Sequence, residues 1–130
     1  MPSRILLVDD ENSVRDSLYA LLESAGYEVL VASNGPDGLT IFRQAAPPID
    51  LLVTDYNMPL MSGLELARAC SHLFGGLRVL YVSGSRPDVE LQADLQAGRN
   101  GFLAKPFHGQ ELLRKAKELI ESPDQQPQSD

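Results

Sequence analysis

The stretch Ile49-Asp50-Leu51-Leu52-Val53-Thr54-Asp55-Tyr56-Asn57-Met58-Pro59 decides the architecture. Leu51 to Val53 form a short apolar run of the kind that fills a strand buried on both faces. Tyr56 to Pro59 turn the run into a loop, and Pro59 has no N–H to give a sheet. Asp55 stands at the junction, so a buried strand delivers a carboxylate at its carboxyl end. In an open α/β sheet, ligands bind beyond that end. Read alone, Asp55 is more readily a solvated loop acid, or a cap for a helix starting near Ser62. The rest of the chain changes that balance.

Apolar runs and amphipathic segments alternate in both directions from Asp55. Ile5 to Val8 is a buried-strand run stopped by Asp9-Asp10. A helix follows from about Ser13 to Ala25, with Val14, Leu18, Leu21, Leu22 and Ala25 on one face and Gly26 as its stop. Glu28 to Ala32 reads as a second strand. Asn34-Gly35 reads as a turn, and Pro36 suits the first turn of a helix carrying Leu39, Phe42 and Ala45. Pro47-Pro48 ends it. Downstream of Asp55, Leu66, Ala67, Cys70 and Leu73 give a helix its inward face, closed by Gly75-Gly76. Cys70 is then a small core residue rather than a reactive thiol.

Arg78 to Val82 is the fourth strand. Pro87 to Ala97 is a weak helix, because Val89, Leu91, Leu95 and Ala97 fit a 3.6-residue period poorly; Gly98 closes it. Gly101 to Ala104 is a short fifth strand. The last helix, about Gln110 to Glu121, carries Leu112, Leu113, Ala116, Leu119 and Ile120 on one stripe. The segment 122–130 is polar and rich in Gln and Pro, and is expected to be a disordered tail.

Five βα units in succession imply a doubly wound α/β fold, a five-stranded parallel sheet with helices on both faces. Right-handed crossovers leave few topologies, and five strands fit the flavodoxin-like order 2-1-3-4-5. That order sets strands 1 and 3 side by side, so Asp9, Asp10 and Asp55 converge at one end of the sheet. Three like charges in one cleft repel and raise one another's pKa unless a cation joins them. Oxygen-only donors at this density suit Mg²⁺. Asp9-Asp10-Glu11 also reads as favourable charge at the start of a helix, and both readings can hold. Lys105, directly after strand 5, brings an ammonium to the same cleft, and Ser83, ending strand 4, brings a hydroxyl; each is otherwise an ordinary surface or turn residue.

Composition bounds the function classes. With 130 residues, 43% hydrophobic and 22% charged, the chain has the make-up of one soluble domain with a real core. A net charge of −7 with no basic stripe argues against direct nucleic-acid binding. One cysteine forbids a disulfide within the chain and fits a reducing cytoplasm. No apolar run is long enough to span a membrane.

Taken together, Asp9-Asp10, Asp55-x-x-Met58-Pro59-x-x-x-Gly63, Ser83-Gly84 and Lys105-Pro106-Phe107 resemble the response-regulator receiver domain of two-component signalling. Each piece is weak alone; the four in order and spacing, over roughly Arg4 to Glu121, are specific. The resemblance implies a receiver domain over 1–121, acting as a chemotaxis-type phosphoacceptor rather than an enzyme on external substrates. Asp55 would take a phosphoryl group from a sensor histidine kinase or phosphotransfer protein and lose it by self-dephosphorylation. Asp10, Asp55 and the backbone carbonyl of Asn57 would ligate Mg²⁺, with Asp9 acting through water. Lys105 would pair with the phosphoryl oxygens and Ser83 would hydrogen-bond one of them. Phe102 would be the aromatic switch and Pro106 would follow a cis bond. Helix 4, strand 5 and helix 5 would present the changed face to a downstream partner or a second copy of the chain.

Phe102 stands where tyrosine is frequent, so no hydroxyl accompanies the ring. An aspartyl-phosphate phosphatase of the haloacid dehalogenase type would need an acid where Asn57 stands. A flavodoxin-type flavin module would need a Ser/Thr/Gly-rich loop where Asp9-Asp10-Glu11 stand. A receiver fold used only as a scaffold would not require Asp55, Asp10 and Lys105 intact. The start at Met1 and the polar tail favour a stand-alone chain over a fragment of a larger regulator or hybrid kinase.

Overall fold

Strands buried on both faces need cover on both, and the chain supplies five helices to provide it. A computed structural model of the protein describes residues 2–97 and 99–121. Gly98, the expected stop of the fourth helix, and the tail 122–130 lie outside the described residues. The elements run β1 (Arg4–Val8), α1 (Asn12–Ser24), β2 (Glu28–Ala32), α2 (Gly35–Gln44), β3 (Leu51–Asp55), α3 (Gly63–Leu73), β4 (Arg78–Ser83), α4 (Val89–Gln96), β5 (Gly101–Ala104) and α5 (Gly109–Glu121). All strand pairs are parallel, in the order β2-β1-β3-β4-β5. The order expected from the sequence is the observed one.

The period of two along each strand sorts the core into two layers. Leu6, Val8, Leu52, Val79 and Tyr81 point to one face, where Phe42, Leu66, Cys70 and Leu91 of α2, α3 and α4 meet them. Ile5, Leu7, Leu51, Val53, Leu80, Val82 and Leu103 point to the other, under Leu18 and Leu22 of α1 and Leu112 and Ala116 of α5. Burial pushes the Cys70 thiol up to about 12, which keeps it protonated and inert, as a core residue should be.

Three local expectations need correction. Asn34-Gly35 is not a free turn: Asn34 is the N-cap of α2, its side chain accepting the Asp37 N–H at 2.8 Å. Leu73, assigned to the inward stripe of α3, is 54% exposed. It is the last residue of the helix, one turn beyond Cys70, where the buried stripe ends. Ala25 is exposed because it forms the C-cap of α1, just before Gly26 takes φ +96°.

Gly63 opens α3 hard against the end of β3. A Cβ there would lie 2.3 Å from the Asp55 carbonyl oxygen and 3.0 Å from Tyr56 Cα, both backbone atoms. The Gly63 N–H donates to the Tyr56 carbonyl at 2.8 Å, which sets the loop's return. Gly63→Ala is therefore expected to destabilise the fold by about 1–3 kcal/mol. Chemical denaturation measures this, and a midpoint equal to wild type would contradict the close approach.

Candidate functional site

Adjacent parallel strands β1 and β3 bring their carboxyl ends together, with Val8 opposite Thr54. The next residues out are Asp9, Asp10 and Asp55. One carboxylate oxygen from each lies within 4.8 Å of the others. Asp9 is buried, Asp55 half-buried and Asp10 exposed, so the cluster grades from core to solvent. The capping alternative does not describe Asp55, while charge at the start of α1 remains compatible with Asp9 and Asp10. Ser62 and Glu65 close a reciprocal capping box on α3, at 3.1 and 2.9 Å, leaving Asp55 no capping role. Asp9 Oδ1 accepts the Glu11 N–H at 2.9 Å in the loop before α1, and no side chain caps that helix.

Lys105 reaches this cluster from the end of β5. Its Nζ lies 3.5 Å from Asp9 Oδ2 and 3.7 Å from Asp55 Oδ1. Its backbone N–H donates to the Ser83 carbonyl at 2.8 Å, and the bond to Pro106 is cis, as the resemblance implied. Burial pushes the Asp55 carboxyl up to about 6; Lys105 opposes the shift, while the Asp9 and Asp10 charges add to it. One ammonium thus faces three carboxylates without balancing them. An oxygen-only, under-compensated cluster half open to solvent fits a Mg²⁺ ion completed by water and a ligand oxygen.

Ser83 is buried, and its Oγ accepts the Ser85 N–H at 3.1 Å. Phe102, half-buried on β5, lies opposite Tyr81 and packs on the core face that carries α4. Asn57 is exposed in the loop after Asp55, and Pro106 is exposed beyond Lys105. The structure therefore gathers Asp9, Asp10, Asp55 and Lys105 into one cleft, with Ser83 at its rim strand and Phe102 further along the sheet.

Residues 5–117 match the response regulator receiver domain family. The chain belongs to that family. The receiver is 37% identical over 131 aligned positions to the response regulator MprA of Mycobacterium sp. strain KMS, covering 99% of this chain and 56% of that protein. It is 36% identical over 118 positions to the response regulator receiver protein CpdR of Brucella abortus, covering 90% of this chain and 96% of that one. The chain thus spans little more than half of MprA and nearly all of CpdR. Among solved structures it resembles a CheY-like receiver protein of Methanospirillum hungatei, at 32% identity and TM-score 0.83 over 92% and 94% of the two chains. The receiver domain of the hybrid histidine kinase CckA aligns at 33% identity and TM-score 0.78, over 92% and 100%.

Two neighbours of the receiver site went unread in the sequence. Arg15, in the first turns of α1, donates through Nη1 to the Asp9 carbonyl at 2.8 Å and fixes the acidic loop. An arginine one turn into a helix behind a run of acids was the available signal. Tyr56 donates its hydroxyl to Asp88 Oδ2 at 2.7 Å, across 32 residues of sequence, and nothing local announced it.

The raised Asp55 pKa sets a pH dependence. Its unfolded value is 3.8 and its folded value about 6, so the folded state holds the proton more tightly. Stability from this group falls as pH rises from about 4 to about 6, and the cost is complete above that. In metal-free protein, Asp55→Asn is expected to raise the melting temperature at pH 7.5 and to narrow its advantage over wild type by pH 4.5. Melting curves for both proteins measure the difference; a gap that widens toward low pH would contradict the assignment.

A Mg²⁺ ion at this cluster would act on the same imbalance. It is expected to stabilise the wild type at pH 7.5 by mass action, while Asp10→Ala loses that response and gains stability without metal. Titration of the melting temperature with Mg²⁺ checks both, and a full response in Asp10→Ala would reduce the acid pair to helix-end charge.

Proposed function

We propose that this receiver is a phosphoacceptor and that Asp55 is its nucleophile. The observation that carries the reading is a half-buried carboxylate at the end of β3, with Lys105 Nζ 3.7 Å away and Asp9 and Asp10 alongside. With a pKa near 6 the carboxylate is largely ionised at neutral pH and attacks without first losing a proton. An Asp55 oxygen bonds to phosphorus as the phosphorus–nitrogen bond of a phosphohistidine breaks, and the imidazole leaves with the electron pair. The donor is a sensor histidine kinase or a phosphotransfer protein. Later hydrolysis of the acyl phosphate returns the carboxylate.

Asp10, Asp55 and the Asn57 carbonyl would hold Mg²⁺, with Asp9 behind a water; when bound, the ion neutralises charge on the acids and the transferred group. Lys105 pairs with the phosphoryl oxygens. Its present contacts with Asp9 and Asp55 hold the ammonium ready for that exchange. Ser83 turns its O–H to a phosphoryl oxygen, and Phe102 fills the space that this movement opens. The face made by α4, β5 and α5 changes in consequence and binds a downstream partner or a second copy of the chain. The reading includes a cytoplasmic location; among the described residues no helix is long and apolar enough to cross a membrane.

Incubation with Mg²⁺ and acetyl phosphate is expected to add one phosphoryl group, and Asp55→Asn to abolish it. Intact-mass measurement decides, and equal labelling of Asp55→Asn would remove Asp55 from its role.

The readout is tested separately. A hydrogen bond from Ser83 to a charged acceptor is worth about 1.5–3 kcal/mol, enough to shift a two-state loop roughly ten- to a hundredfold. Ser83→Ala is expected to accept the phosphoryl group yet bind the downstream partner or self-associate correspondingly less. Sedimentation or pull-down with beryllofluoride as the phosphoryl analogue measures it. Unimpaired association in Ser83→Ala would assign the switch to another group.

A further inference from the structure

Helix α4 is lightly held by apolar packing. Its eight residues bury one side chain completely, Leu91, while Val89 is 82% exposed. A helix this short does not persist on its own backbone bonds. Polar ties at its two ends make up the difference. Toward its C-terminus, Asp94 Oδ2 accepts from Asn100 at 2.8 Å, and Asn100 Oδ1 accepts the Val79 N–H of β4 at 2.9 Å. At its N-terminus Asp88 uses both carboxylate oxygens. Oδ1 caps the helix by accepting the Leu91 N–H at 2.9 Å, and Oδ2 accepts the Tyr56 hydroxyl at 2.7 Å.

Tyr56 follows Asp55 directly, and its backbone is tied on both sides. Its N–H donates to the Val82 carbonyl at 3.0 Å and its carbonyl accepts the Gly63 N–H at 2.8 Å. Its ring stands edge-on to Tyr81, with centroids 6.3 Å apart and planes at 83°. A displacement of the backbone at Asp55 therefore carries the phenol, and the phenol carries the cap of α4.

We propose that Tyr56 is a positioning residue that ties α4 to the acceptor strand through Asp88, giving Asp55 a line to α4 that bypasses Ser83 and Phe102. The tie stands on the geometry alone; its coupling to the switch rests on the phosphoacceptor reading. Tyr56→Phe removes one oxygen and keeps the ring. Asp88→Ser keeps a capping side chain that is too short to reach Tyr56.

Hydrogen exchange in the metal-free protein tests the tie. In both variants the Leu91 and Gln92 amides are expected to exchange about tenfold faster, while Leu6 to Val8 of β1 change by less than about twofold. Unchanged protection at Leu91 and Gln92 overturns the tie, and so does an equal acceleration in β1, which would report lost global stability. Amide chemical shifts on adding beryllofluoride with Mg²⁺ test the coupling. Residues 88–96 are expected to respond about half as much or less in Tyr56→Phe, with Asn57 and Lys105 responding as in wild type. A full response of α4 in Tyr56→Phe overturns the coupling. A wild type whose Asn57 and Lys105 amides ignore the analogue overturns the phosphoacceptor reading, and the coupling with it.

Discussion

Repulsion among three carboxylates at one edge of the sheet is the constraint on which the rest depends. Two unit charges 4.8 Å apart repel by about 3 kcal/mol at the effective dielectric of a protein surface. A domain's whole stability is only about 5–15 kcal/mol. Such a cluster persists because the strands that deliver it are fully buried: Ile5 to Val8 and Leu51 to Val53 are at most 1% exposed. Their burial fixes the register that sets Val8 beside Thr54, so neither acid can retreat without pulling apolar surface out of the core. Lys105 relieves part of the repulsion and leaves the remainder uncompensated, which is the imbalance a cation would answer.

The same burial explains what could be read in the sequence. Continuous apolar runs ending in Asp9, Asp55 and Ser83 mark strands and their carboxyl ends, and parallel connections put those ends on one edge. Topology and the four-residue cleft were therefore legible without any long-range information. Helix faces were legible where several buried positions repeat, as in α5. They failed at helix ends, where Leu73 and Ala25 keep the period of the stripe but have no core left to face.

What could not be read depends on side-chain reach. Ser62 and Glu65 take the capping role that the sequence also left open to Asp55, and Arg15 braces the acidic loop through a backbone carbonyl. Tyr56 finds Asp88 only because β3 and β4 are neighbours and the β4–α4 loop returns over them. The fourth helix looked weak in the sequence for a sound reason. It buries one residue completely, so its pattern carries little period, and its position is set by bonds from elsewhere in the chain.

The strand period also decides which layer each group near Asp55 faces. Along β4, Leu80 and Val82 face α1 and α5, where Leu18, Leu22, Leu112 and Ala116 meet them and Tyr19, Tyr27 and Phe107 pack alongside. Tyr81 faces the other layer, together with Leu91 of α4, and Phe102, its register partner on β5, packs there too. By alternation Ser83 falls on the side of Tyr81. Ser83, Tyr81 and Phe102 thus share one face, and that face carries α4, which buries a single side chain completely. The end of β4 joins the parts: Val82 accepts from Tyr56, just after β3, and Ser83 accepts from Lys105, just after β5. Under the proposed phosphoacceptor reading, a charge added at Asp55 would pull on both neighbours of β4 at once. On the α1 side Arg15 is tied to the Asp9 carbonyl and the helix is anchored by buried Leu18 and Leu22. Helix α4 is held by Asp88, by Asp94 through Asn100 and by one completely buried leucine, so under the same reading α4 would yield first.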